Sequence, residues 1–145
     1  MSPLYAPRRG IQPEERLHLD VAAFLQVALR LPAWWSTIAH GSRIGIRERA
    51  MLKRKGTKPG VPDIVVIAPK PVGVGMGCIV IGIELKAGAG RRSADQVETH
   101  ADLTMAGAHV GICRSIDDVI ALLERHGIPL HARVMAGGGL LKAAA

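Results

Sequence analysis

Residues 60–68 read GVPDIVVIA and residues 78–88 read CIVIGIELKAG, so charged side chains interrupt two otherwise apolar runs. Ionisable side chains are rare inside apolar strands unless they are paired or bind a metal ion. Side chains alternate between the faces of a strand, so Glu84 and Lys86 point to the same side. If the two runs pair as a hairpin, Asp63 comes beside them at one end of the strands.

Two carboxylates and an ammonium at one strand end predict a site for a divalent cation, because such cations prefer carboxylate oxygens. Simpler interpretations exist for each residue alone. Asp63 follows Pro62 and could serve only as a turn former. Glu84 and Lys86 could form an exposed ion pair on an edge strand.

The order P-D, a spacer and E-x-K is the signature of the PD-(D/E)XK nuclease superfamily. Its flanks, GTKPGVPDIVVI (56–67), IELKAGAGRRSADQ (83–96) and AGAHVGIC (106–113), resemble the virus-type replication-repair nuclease domain, VRR-NUC. The resemblance extends over residues 14–125. It implies an α/β fold with a PD-(D/E)XK restriction-endonuclease-like core, in which a central mixed sheet is flanked by helices.

The resemblance also implies an activity: a divalent-metal-dependent, structure-selective DNA endonuclease acting on Holliday-junction-like or branched DNA, as a homodimer. Mg²⁺ or Mn²⁺ would be held by Glu14, Asp63, Glu84 and the carbonyl of Leu85. Lys86 would orient or deprotonate the attacking water, or stabilise the charge of the transition state. The same residues leave open a catalytically inert DNA-binding module and a nuclease that acts on RNA or on other DNA.

Two of these site residues depend on helix positions. Glu14 precedes an apolar stripe that begins at Leu17, as the family glutamate does, although the family glutamine four residues later is His18 here. Glu15 is the alternative, and either acid could simply favour the positive end of the helix. Gln96 is expected to line the active site, but its S-x-x-Q spacing from Ser93 also predicts a capping box.

A basic segment precedes the first strand of the hairpin. Residues 43–58 contain the single acid Glu48, and this segment alone has a net charge of +6 in a chain of net charge +7. We expect a surface that binds DNA phosphates rather than a merely solvated face. Its cationic residues are Arg43, Arg47, Arg49, Lys53, Arg54, Lys55 and Lys58. His40 and Ser42 join Arg43 as candidate DNA contacts, because polar residues follow the first strand in the family.

Composition and patterning limit the other possibilities. A chain of 145 residues predicts one domain, with a flexible arm at 1–12, the nuclease domain at 13–135 and a flexible tail at 136–145. No apolar run is long enough to span a membrane, and no signal peptide is visible, so we expect a cytoplasmic protein encoded by a bacterium or phage. The two cysteines are expected to be reduced core thiols, and the histidines lack metal-ligand spacing.

The periodicity predicts alternating helices and strands. The glycines at 73, 75 and 77 are followed by a β-rich run and not by a helix, so a hairpin loop is favoured over a dinucleotide site, and no nucleotide cofactor is expected. Trp34 and Trp35 lie on opposite faces of the first strand, so the core of the chain can bury only one of them. The other is a candidate anchor of a dimer interface, unless a helix covers each face. The predicted helices are 13–32, 48–56, 93–106 and 116–127, and the predicted strands are 33–41, 61–68, 78–86, 109–113 and 130–135.

Overall fold

The computed structural model describes residues 10–38, 44–134 and 140–142 of the chain. Its helices are α1 (Pro13–Ala28), α2 (Ile46–Arg54), α3 (Ala94–Met105) and α4 (Ile116–Arg125). Its strands are β1 (Trp34–Thr37), β2 (Ile64–Pro69), β3 (Cys78–Leu85), β4 (His109–Cys113), β5 (Ala132–Val134) and β6 (Leu140–Lys142).

Four strands form a mixed sheet in the order β1-β2-β3-β4. β2 pairs antiparallel with both β1 and β3, whereas β4 pairs parallel with β3. A parallel neighbour requires a crossover connection, and α3 provides it. The expected mixed sheet flanked by helices is confirmed. The glycine-rich segment is the loop of the β2–β3 hairpin, as predicted, with Lys70 N donating to Gly77 O at 3.1 Å.

The main core lies on the face of the sheet that carries Ile81, Ile83 and Leu85. Helices α1 and α4 cover this face through Phe24, Leu25 and other apolar side chains that are buried together. α4 has a strong sequence signal, because its apolar residues recur with helical period. The opposite face of β3 carries Gly82 and Glu84, and α3 covers it. Since both faces are covered, the strand that bears the charged residues is buried from Ile81 onward.

Pro62 lies close against Gly82 on the face of β3 that carries Glu84. A Cβ atom on Gly82 would lie 2.6 Å from Cγ of Pro62, so only glycine leaves room for this proline. The segment before Pro62 is also fastened to α3. Gly60 has φ of +75°, and Thr99 Oγ1 donates to Pro59 O at 2.7 Å. The GVPD turn and the start of α3 therefore form one packed unit beside β3.

Several boundaries differ from the sequence-based prediction. β1 covers Trp34–Thr37, while residues 39–41 of the predicted strand 33–41 lie outside the described residues, and β2 begins at Ile64, directly after Asp63. β6, at Leu140–Lys142, lies within the segment expected to be a tail and pairs with β5. Trp35 packs against the core while Trp34 is 50% exposed, as the alternation predicts. Cys113 is buried as expected, but Cys78 is exposed. No helix in the described part of the chain is long and apolar enough to cross a membrane.

Candidate active site

Glu84 lies near the carboxyl end of β3 and is 1% exposed. Its neighbours Ile83 and Leu85 point into the main core, so alternation directs the Glu84 carboxylate toward α3. A carboxylate in such a place is costly unless other groups pair with it. The side chains that pair with it come from the end of the same strand and from α3.

Lys86 is the partner closest in sequence and lies one pleat further along. Its Nζ lies 2.9 Å from Glu84 Oε1 and 3.6 Å from Oε1 of Glu14, which reaches the site from the first turn of α1. Of the two acids that the sequence left open, Glu14 is the one in contact with Lys86. The alternative that Glu84 and Lys86 form an exposed ion pair on an edge strand is wrong, because both side chains are buried.

Gln96 has two contacts, and one of them is the capping box that its spacing from Ser93 predicts. Ser93 N donates to Gln96 Oε1 at 2.9 Å, and Gln96 N donates to Ser93 Oγ at 3.2 Å, which completes the capping box of α3. The other end of the same amide is directed into the site, where Gln96 Nε2 donates to Glu84 Oε1 at 2.6 Å. The start of α3 and the orientation of Glu84 are therefore coupled through one side chain.

Asp63 lies where the hairpin register places it. Ile64 pairs with Ile83, so in an antiparallel pair the preceding residue comes opposite Glu84. Asp63 Oδ2 accepts a hydrogen bond from Leu85 N at 2.8 Å. Asp63 is therefore tied to the backbone of β3 between the two charged residues, which is more than the turn-forming role that its Pro-Asp context allows.

His100 was not predicted as a site residue. It is 3% exposed, and its Nε2 lies 3.6 Å from Glu84 Oε2. Arg92 Nη1 lies 3.5 Å from the other ring nitrogen, Nδ1. The signal that could have found it is its spacing: His100 follows Gln96 by four residues, and residues so spaced share one face of a helix.

Burial and charge shift the pKa values of these groups in different directions. Burial raises the pKa of Glu84, with the charges of Asp63 and Glu14 adding to the rise, and the hydrogen bond from Lys86 opposes it. Burial alone would lower the pKa of Lys86, but the contact with Glu84 outweighs it and the pKa lies above its ordinary value. Burial, aided by the charges of Arg92 and Lys86, lowers the pKa of His100.

The oxygen atoms around Glu84 are candidate ligands of a divalent cation. Within the described ranges, no three His, Cys, Asp or Glu side chains are grouped closely enough to form a metal cluster. The individual donors nevertheless suit a hard cation. Glu84 Oε2 is buried without a hydrogen-bond partner, and the charges of Asp63 and Glu14 act on Glu84. Asp63 and Gln96 also line a cavity of about 130 Å³ beside the site. The residues therefore fit such an ion by their chemistry.

The basic residues on and after α2 lie at the surface. α2 buries none of its side chains, and Arg47, Arg49, Lys53 and Arg54 on the helix are all exposed. Lys55 and Lys58 follow the helix and are also exposed. The predicted contacts His40, Ser42 and Arg43 lie outside the described residues. The part of this segment that the structure describes is thus free of core packing, as a phosphate-binding surface requires.

Comparison with solved structures gives a match over most of the chain. A structure titled "VRR_NUC domain protein" superposes with a TM-score of 0.61 at 20% sequence identity, covering 80% of this chain and 88% of that chain. The chain has the fold of a VRR-NUC domain. A second structure, titled "VRR_NUC domain", has a TM-score of 0.48 at 19% identity and covers 79% of this chain and 98% of its own. No protein-family model and no curated protein matches the sequence.

The two contacts of Gln96 in this VRR-NUC fold can be separated by mutation. Ser93→Ala removes the cap and leaves the Gln96–Glu84 bond, so we expect a loss of about 0.5–2 kcal/mol that does not vary with pH. Gln96→Glu keeps an acceptor for Ser93 N but places a second carboxylate against Glu84. At neutral pH we expect it to cost about 1.5–3 kcal/mol, the value of a hydrogen bond to a charged group.

The pH dependence of Gln96→Glu has a defined sign. The paired carboxylates have pKa values raised above those of the unfolded chain, so the loss is largest at neutral pH and shrinks as the pH falls and one group is protonated. Urea unfolding of both variants between pH 7 and pH 4 measures this. If the loss in Gln96→Glu is independent of pH, Gln96 does not face an ionised Glu84.

Proposed function

We propose that this chain is a divalent-metal-dependent, structure-selective DNA endonuclease that hydrolyses phosphodiester bonds in Holliday-junction-like or branched DNA. The observation that carries the proposal is the buried Glu84 carboxylate, which is contacted by Lys86 and Gln96 and lies beside Asp63 at one end of the sheet. The match in fold to a VRR-NUC domain protein supports it.

The cost of this cluster argues against the inert DNA-binding alternative. Replacing a buried ion pair by apolar residues of similar volume is often neutral or stabilising, so the Glu84–Lys86 pair is not needed to hold the sheet together. A protein that only binds DNA would gain nothing from carboxylates near the phosphates, because they repel them. Groups with shifted pKa values that converge on one site are typical of catalysis.

Glu14, Asp63, Glu84 and the carbonyl of Leu85 would hold one or two Mg²⁺ or Mn²⁺ ions. Such an ion, when bound, lowers the pKa of a water molecule and neutralises phosphate charge. Asp63 is pre-positioned for this role because its Oδ2 is tied to Leu85 N. Glu14 completes the set from α1, and its half-exposed side chain lies on the solvent side of Lys86.

Lys86 acts as a cation in this mechanism. Its Nζ lies 2.9 Å from Glu84 Oε1, so the ammonium stands beside the candidate metal ligands, where it would orient the attacking water or stabilise the negative charge of the transition state. Gln96 holds one oxygen of Glu84 in place. The residues of the protein thus position charge around the scissile phosphate, which is the main task in phosphoryl chemistry.

DNA would be bound through its backbone. The exposed cations of α2 and of the segment that follows it supply positive charge, and only 3% of the chain is aromatic, so base stacking contributes little. We therefore propose recognition of backbone geometry and branching and not of base sequence.

The first prediction tests the carboxylates. Asp63→Asn keeps an oxygen that accepts from Leu85 N, and Glu84→Gln keeps one that accepts from Lys86, so both variants should fold. Loss of a supporting partner of a metal site already costs about 10–100-fold, so we expect each to reduce cleavage by at least about 100-fold. Binding of DNA should persist. Glu14→Gln should also lose activity, whereas the matched control Glu15→Gln should retain it.

The assay uses four-way junction, flap, supercoiled plasmid and RNA substrates with Mg²⁺, Mn²⁺ or EDTA. Cleavage of branched DNA that EDTA stops supports the proposal. Binding without cleavage under every condition indicates the inert module, and a preference for RNA indicates a ribonuclease. Wild-type rates in Asp63→Asn or Glu84→Gln contradict the assignment of the site.

The second prediction concerns the basic segment. Changing Lys53, Arg54 and Lys55 together to Gln should reduce the salt dependence of DNA binding by about two to three units, at about 0.9 unit per lost phosphate contact. A matched control changes Arg30, Lys70 and Arg125, which are also exposed, to Gln. Fluorescence anisotropy at several salt concentrations measures both slopes. If the salt dependence of binding has the same slope in the two triple variants, the basic segment is only a solvated surface and does not contact phosphates.

The third prediction concerns assembly. Resolving a four-way junction needs two coordinated cuts, and a two-fold homodimer supplies two sites. Trp34 is half exposed on the edge strand β1, and tryptophan is enriched at interface hot spots. Sedimentation should give a homodimer of about 31 kDa, twice the 15.4 kDa chain. Trp34→Ser should shift it toward monomer, and Val72→Ser, a control at another exposed apolar residue, should not. A wild-type monomer that prefers single flaps contradicts the dimer.

A further inference from the structure

α3 buries one residue of the part that the structure describes, and that residue is a histidine. His100 is the only buried position that the helix contributes, whereas its other side chains are exposed or half-buried. A polar ring in such a place requires a reason, since burial without hydrogen bonds is costly. The ring nitrogen Nε2 lies 3.6 Å from Oε2 of Glu84, whereas Lys86 and Gln96 contact the other oxygen, Oε1.

The contact with Arg92 favours one position for the proton of the ring. Its Nη1 lies 3.5 Å from His100 Nδ1. A guanidinium can only donate hydrogen bonds, so Nδ1 has to be the acceptor. The proton of the neutral imidazole is then on Nε2. This is the nitrogen that faces Glu84.

Two buried polar side-chain atoms in the described part of the chain have no hydrogen-bond partner, and they face each other. They are Glu84 Oε2 and His100 Nε2, separated by 3.6 Å. A buried donor or acceptor that is left unpaired pays the full cost of its desolvation. The donor His100 Nε2 therefore faces the acceptor Glu84 Oε2, and a shift of a few tenths of an ångström would bring the two atoms within hydrogen-bonding distance.

We infer that His100 is a positioning residue, which donates from Nε2 to Glu84 Oε2 in the working site and fixes the rotation of this carboxylate. The inference rests on the proposed function, since it assigns how the site presents Glu84. An ionised carboxylate has about four acceptor positions. Lys86 and Gln96 use Oε1, and His100 uses one position of Oε2. The position that remains on Oε2 is left for a cation.

The inference predicts graded effects on metal affinity. His100→Leu keeps an apolar volume but removes the donor, and we expect Mn²⁺ affinity, measured by calorimetry without DNA, to fall about 10–100-fold. His100→Gln retains an N–H donor at similar reach and should restore most of it. Arg92→Gln removes the group that fixes the proton and should give a smaller loss. Val97→Ala, at an exposed site on the same helix, is the matched control.

Two further measurements separate positioning from packing. In a Glu84→Gln background, His100→Leu should cost no additional Mn²⁺ affinity, because the carboxylate that it orients is absent. Nitrogen NMR of the histidine rings in the metal-free wild type should show His100 protonated at Nε2, with a signal that Glu84→Gln displaces. This readout depends on neither metal nor cleavage, and Arg92→Gln provides a variant to test if His100→Leu does not fold.

The outcomes distinguish this inference from the proposed function. If His100→Leu binds Mn²⁺ as tightly as the wild type, the inference is wrong. It is also wrong if His100→Leu and His100→Gln lose the same Mn²⁺ affinity and that loss follows a fall in melting temperature, because the histidine would then act only through packing. A proton on Nδ1 also overturns it. If the wild type binds Mn²⁺ with the expected response to His100 variants but cleaves no nucleic acid, the positioning role stands and the endonuclease proposal fails.

Discussion

The Glu84 carboxylate is buried on the face of β3 that α3 covers, and its charge is met by Lys86 from the end of the same strand and by Gln96 from α3, which both contact Oε1. His100 of α3 lies 3.6 Å from Oε2, and the Asp63 carboxylate, which accepts from Leu85 N, adds negative charge beside them. A single partner would leave most of the acceptor positions of a buried carboxylate empty. The number of elements that converge here follows from that requirement.

The close contact between Pro62 and Gly82 makes this convergence possible. Because no Cβ stands at Gly82, Pro62 can lie against β3, and Asp63 then reaches the backbone of Leu85. The hydrogen bond from Thr99 to Pro59 joins the same turn to α3. The turn that presents Asp63 and the helix that presents Gln96 are thus held by each other as well as by the sheet.

The sequence predicted those parts of the site that depend on local spacing. Strand alternation placed Glu84 and Lys86 on one side, the glycine-rich turn implied the hairpin that brings Asp63 beside them, and Ser93 with Gln96 indicated the capping box. The spacing of four residues from Gln96 places His100 on the same face of α3, but it does not show that this face is buried. The face of α3 that packs inward is set by contacts with the sheet, and the apolar residues of this helix show no clear stripe.

The boundaries that sequence patterns missed have a similar cause. The prediction of a strand at 33–41 does not show which residues find a partner. Within the described part, Trp34–Thr37 pair with β2 as far as Ile64, and Ile38 N donates to Asp63 O. The exposed ion-pair interpretation of Glu84 and Lys86 failed for a related reason. An alternating pattern defines the two faces of a strand but does not show whether a helix covers the second one.

The residues near Glu84 are held by more hydrogen bonds and packing contacts than the basic helix α2 is. The glycine-rich loop after Lys86 is held by Arg114, whose Nη1 and Nη2 donate to Gly88 O at 2.7 Å and Gly90 O at 2.9 Å. This loop leads into the capped start of α3, so both sides of the carboxylate are fixed. α2, by contrast, buries no side chain. Catalysis depends on positions accurate to fractions of an ångström, whereas attraction to a phosphate backbone acts over several ångströms and tolerates variation. A closely packed acidic centre and a basic helix that buries no side chain therefore fit the proposed nuclease, which would need fixed geometry for cutting and mainly charge for binding its substrate.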